Sequence, residues 1–74
     1  MRYALVEALE VNEYGNRNTH LVIMPCDGAL VPKRPKIGYT WDTDDRGSYC
    51  QVLSTHGTEQ LAGVAYWREY YARR

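Results

Sequence analysis

Apolar and polar positions alternate through residues 3–11. Tyr3, Leu5, Leu9 and Val11 fall on one side together with Glu7, and Ala4, Val6 and Ala8 on the other. That period predicts a strand. Ala, Leu and Glu also favour helices, and Leu5, Ala8 and Leu9 would share a helical face. The strand is preferred because the next stretch, Asn12 to Asn18, holds Gly15 and three asparagines, residues that tolerate the positive φ of a hairpin loop. The returning strand is predicted over 19–24. Its apolar run His20 to Met24 is nearly continuous, which predicts a central position covered on both sides rather than an edge.

Pro25 lacks a backbone donor, and Cys26-Asp27-Gly28 is turn material, so the second strand should stop there. In Ala29 to Lys36, Pro32 and Pro35 bracket Lys33 and Arg34, which predicts an extended, solvated crossover. Strands are predicted over 37–41 and 48–55, joined by the polar turn Asp42 to Gly47. From Thr58 the period becomes helical, and a helix is predicted over 59–72. Thr58 is the N-cap, and Leu61, Val64, Trp67 and Tyr71 form the stripe that should dock on the sheet. The order implies an α+β fold: a small antiparallel sheet of about four strands in two hairpins, with one C-terminal helix on a face. A single domain over 1–74 is expected.

Composition sharpens this picture. Leu, Ile and Val fill fourteen of the 74 positions and Phe none, while seven Tyr and two Trp are present. Aliphatic content this low suggests disorder only when net charge is large, and here nine basic residues balance nine acidic ones. The aromatics supply the missing apolar area, each able to bury roughly 150–250 Å². A thin, aromatic-weighted core leaves no room for a large enclosed cofactor, and none is expected. Glu7 and Glu10 interrupt the apolar stretch after Arg2, so no export signal is read there. No apolar run approaches the ~20 residues of a bilayer span. A cytoplasmic protein with no membrane partner is expected, with Cys26 and Cys50 as free, buried thiols.

His20, Cys26, Cys50 and His56 could in principle offer zinc two imidazoles and two thiolates. Structural zinc sites place ligand pairs two to five residues apart on tight knuckles. Separations of six do not build such a knuckle, so no metal is expected. The loop from Asp42 begins like a calcium site but carries Arg46 and Leu53 where ligands belong. Ser54 and His56 should point outward in parallel along their strand rather than toward each other. No phosphate loop, nucleophile elbow or paired Cys-X-X-Cys occurs. The chain is therefore expected not to be an enzyme.

What remains is surface. Lys33, Arg34 and Lys36 cluster between prolines, and Arg68, Tyr70, Arg73 and Arg74 crowd the last helix, where Tyr66 adds a further ring. Tyr and Arg exposed together are the composition of interface hot spots. Acidic residues gather elsewhere, Glu7, Glu10 and Glu13 near the first hairpin and Asp42, Asp44 and Asp45 in the later turn, so the surface is expected to be bipolar. The seven residues Lys33, Arg34, Lys36, Arg68, Tyr70, Arg73 and Arg74 are the candidate partner-binding set. The function expected is a non-enzymatic regulator or inhibitor that docks on a larger protein. A phage-encoded protein acting in the host cytoplasm on machinery such as RNA polymerase or a nuclease complex is one setting for it. Two alternatives stand beside it. One is a single-stranded nucleic-acid module using the basic loop with Tyr39 or Trp41 as stacking platform, and the other is a homo-oligomeric assembly protein.

Overall fold

Asn12 and Gly15 make the first turn. The Asn12 side chain accepts hydrogen bonds from the amides of Tyr14 (2.9 Å) and Asn16 (3.0 Å), and Gly15 takes φ +80°, the left-handed region glycine enters without a Cβ penalty. The strands it joins are β1 (Tyr3–Val11) and β2 (Arg17–Pro25). The computed structural model describes all 74 residues and continues with β3 (Thr40–Asp42), β4 (Tyr49–His56) and α1 (Glu59–Ala72). The four strands form one antiparallel sheet in the order β2-β1-β4-β3. The helix packs on β1, β2 and β4. The α+β architecture anticipated from the hydrophobic pattern is the one observed.

Both faces of the sheet are covered. Ala4, Val6 and Ala8 of β1, with Cys50 and Val52 of β4, form one buried layer, closed by Cys26 and Val31 and flanked by Val22, Met24 and Trp41. The 26–39 segment is therefore not simply solvated. Val31 is fully buried, because its side chain is the apolar lid that a sheet without a second helix needs. The expected third strand also shrinks, from 37–41 to 40–42. Gly38 turns at φ +91°, and the amide of Tyr39 bonds back to the Lys36 carbonyl (3.0 Å), so the chain bends where the strand was expected to begin.

Two further expectations are overturned. β2 is an edge strand with β1 as its single neighbour. Its apolar run arises because one side of each residue pair meets the loop layer and the other meets α1, a two-sided burial that central strands share. The helix is also rotated. Leu61, Val64, Trp67 and Tyr71 are 54%, 48%, 53% and 61% exposed, whereas Ala62 is fully buried and Gly63, Ala65, Tyr66 and Glu69 are half-buried. The sheet already carries bulk toward the helix in Leu5, Leu21 and Ile23, so small helix residues allow the closest approach. Thr58 caps α1 as expected, its hydroxyl accepting the Leu61 amide at 3.1 Å. No helix is long and apolar enough to cross a membrane.

Candidate functional site

The rotation of α1 turns its larger side chains outward. Tyr66 and Trp67 meet edge-on at 5.2 Å between ring centroids, Trp67 and Tyr70 at 5.5 Å, and Tyr70 and Tyr71 at 5.6 Å. These are favourable edge-to-face distances, so four rings form one continuous array along the C-terminal half of the helix. The Arg74 guanidinium sits 6.0 Å and 5.9 Å from the Tyr70 and Tyr71 centroids, within cation–π range. Leu61, Val64 and Ala65 extend the apolar surface toward the N-terminus, along a groove lined also by Leu5, Leu53 and Arg68.

The seven candidate residues divide into two groups. Arg68, Tyr70, Arg73 and Arg74 share α1 and its C-cap, but they are not equivalent. Arg73 is held in ion pairs with Glu7 of β1 and Glu69 of its own helix, and hydrogen bonding to Glu7, above all, raises its pKa. Arg68 and Arg74 have no carboxylate partner. Lys33, Arg34 and Lys36 lie in the crossover that lids the opposite face of the sheet. Lys33 and Arg34 line an open depression with Arg2, Cys26, Asp27 and Gly57. One contiguous surface through all seven is thus not formed.

The outward Leu61, Val64, Trp67 and Tyr71, and Arg2 beside the basic loop, were not among the residues singled out for binding. A helix with apolar residues nearly all round can dock by either side, and periodicity alone does not choose. The discriminating signal was residue size, since Ala62, Gly63 and Ala65 are the small positions of α1.

The other candidate chemistry disperses. Cys26 and Cys50 are free and buried in the loop-covered layer, and burial raises both thiol pKa values, Arg2 partly opposing this at Cys26. His20 lies 3.8 Å from Glu10, and His56 lies on the helix-covered face. No group of three or more His, Cys, Asp or Glu side chains is placed to hold a metal ion. Asp44 instead folds its own turn, accepting the amides of Arg46 (2.8 Å) and Ser48 (3.2 Å). The expectation that Ser54 and His56 stay apart is wrong, for their side chains hydrogen-bond at 2.8 Å. Both lie on one face of β4, in regular register with Leu5 and Tyr3, and side chains two residues apart on a strand lean along it, which lets the long imidazole reach the hydroxyl. No carboxylate hydrogen-bonds His56 to orient it as in a catalytic triad.

No protein family, curated protein or solved structure matches the chain.

Proposed function

We propose that this protein is a non-enzymatic regulator that docks on a larger protein through the outer face of α1. A single observation carries the reading: the larger apolar side chains of the one helix, Leu61, Val64, Trp67 and Tyr71, stay about half exposed, Leu61 and Val64 along the groove beside Leu5 and Leu53. Grouped aromatic exposure of this kind marks interaction sites, and Trp, Tyr and Arg are the residues that dominate measured interface energies. Arg68 and Arg74, neither paired with a side-chain carboxylate, supply directional donors at the rim of the patch. An inhibitor of host machinery encoded by a phage remains the setting that suits so small a docking domain.

The test is capture of partners from a cell extract by the tagged protein, compared with a Trp67→Ala/Tyr71→Ala variant. Loss of one hot-spot ring costs about 2 kcal/mol or more, roughly thirtyfold. The captured protein should therefore disappear with the variant and persist with Asp45→Ala, a change on the acidic turn. Undiminished capture by the double variant would refute the assignment.

A further inference from the structure

β2 is open along its outer side, and the orientation of its backbone groups can be derived. The amide of Asn12 donates to the Asn16 carbonyl at 3.0 Å, and the amide of Cys26 to the Arg2 carbonyl at 2.8 Å. Hydrogen-bonded and non-bonded pairs alternate along an antiparallel ladder. With Val6 opposite Val22, the β2 residues bonded to β1 are the even-numbered ones, Asn18, His20, Val22 and Met24. Thr19, Leu21 and Ile23 consequently aim their N–H and C=O groups away from the sheet, where no backbone or side-chain group of the chain takes them up. Pro25 falls at the next outward position, so its missing donor costs the ladder nothing.

A cleft of about 320 Å³ runs beside this edge. Thr19, His20 and Leu21 form one wall, and Tyr66, Tyr70, Arg73 and Arg74 the other. Tyr66 and Tyr70 stack 5° from parallel at 6.4 Å, making a flat apolar wall. Arg73 is neutralised by Glu7 and Glu69, which leaves Arg74, beside the Tyr70 and Tyr71 rings, as the arginine of the cleft without a side-chain carboxylate partner. An open strand edge beside a helix offers both halves of strand-addition recognition: main-chain bonds for affinity, and a side-chain wall for selectivity.

Building on the reading of this chain as a protein-docking domain, we infer that an extended acidic segment of the partner adds to the outer edge of β2 as a fifth strand. Its alternate side chains lie on Tyr66 and Tyr70, and a carboxylate meets Arg74. A second copy of the chain fits less well. Antiparallel self-pairing centred on Leu21 would bring the helix C-termini together over the joint, setting Arg74 of one copy against Arg74 of the other, and like charges so placed are repulsive.

The probe is a synthetic seven-residue peptide with Glu at each end, Val at the third and fifth positions and Thr between, which presents both Glu and both Val on one face. Its controls are the Lys-ended counterpart and the same Glu peptide N-methylated at alternate residues. Amide exchange followed by NMR should slow about tenfold or more at Thr19, Leu21 and Ile23 on saturation, with His20 and Val22 unchanged. The Lys-ended peptide should bind about tenfold more weakly, one charge pair being worth about that factor, and Arg74→Glu should reverse the preference. The N-methylated peptide should not bind. Equal binding of the N-methylated peptide, or unprotected amides at the three outward positions, overturns the inference. So does a dimer that protects those amides with no peptide present, which would assign the edge to a second copy. The peptide is tested on the unmodified chain and partner capture on Trp67→Ala/Tyr71→Ala, so a failure at the strand edge is separable from a failure of the α1 docking face.

Discussion

Arg73, the residue capping the C-terminus of α1, is ion-paired with Glu7 in the middle of β1. It also donates to Glu69 one turn back at 3.0 Å. The pair ties the C-terminal end of α1 to β1, an inner strand of the sheet. Glu7 is mostly covered and Arg73 about one-third exposed, a position between the exposed pairs worth 0–1 kcal/mol and the buried ones that cost 3–5 kcal/mol to break. Glu7→Gln is therefore expected to lower stability by about 1–2 kcal/mol, read as a shift of the urea midpoint at unchanged slope. An unshifted midpoint would mean that α1 is held by its apolar contacts alone.

The two sides of α1 should respond in opposite ways to mutation. Ala62 is fully buried between helix and sheet, so Ala62→Leu should cost about 1–3 kcal/mol through overpacking, lowering the melting temperature by about 4 °C or more in a domain this small. Val64→Ala trims a half-exposed side chain outside the ring array and should stay within about 0.5 kcal/mol. Thermal denaturation of the two variants checks this, and the reverse ranking would place the helix on its other face.

Asp44 makes the second turn sensitive to acid. Hydrogen bonding to Ser48, and then to the Arg46 amide, holds its carboxyl below the ordinary value of 3.8. A depressed folded pKa contributes stability that is fully present above the unfolded value and is lost as pH falls through the folded one. The stability gap between the native chain and Asp44→Ala should therefore be constant above about pH 5 and shrink progressively below pH 4. Chemical denaturation at a series of pH values measures it, and a gap that is flat down to pH 2 would exclude the carboxylate as its source.

Ser48 is the one buried polar residue, at 2% exposure, and its hydroxyl accepts the Val11 amide at 2.8 Å. Ser48→Ala leaves that donor without a partner, a loss of about 1–3 kcal/mol. The same variant should speed exchange of the Val11 amide, a local readout that general destabilisation does not single out.

Cys26 and Cys50 should be poor nucleophiles in the folded protein. Burial keeps both protonated at neutral pH, and the thiolate is the reactive form. Alkylation at pH 7.5 is expected to be slower than that of a free thiol by roughly an order of magnitude or more, and to recover in urea. Rapid labelling of either residue under native conditions would contradict its buried placement.

The elements were legible because each is written locally. Alternation marks β1, Asn12 and Gly15 mark its turn, and Thr58 marks the start of α1. Placement was not legible, since it depends on what each element meets. The run Leu21 to Met24 reads as central, yet an edge strand clamped between a helix and a loop layer carries the same pattern. Leu61, Val64, Trp67 and Tyr71 read as a core stripe because periodicity records where apolar residues lie and not which of two apolar sides is covered. Leu5 and Ile23 on the sheet favoured a partner face built from Ala62 and Ala65, a steric preference visible only once sheet and helix are seen together. The basic loop and the helix C-terminus were expected to act as one surface, and the sheet between them divides it.

The central position of β1 also shapes the expected order of folding. Its pairing with β2 closes a loop of five residues, whereas its pairing with β4 joins residues 3–9 to residues 49–56. Local hairpins close in about 1–10 μs, and contacts across long stretches of chain come later. The first hairpin is therefore the pairing that forms with both of its edges bare. When β4 arrives it closes one of those edges, and the finished protein keeps the other open along the whole of β2.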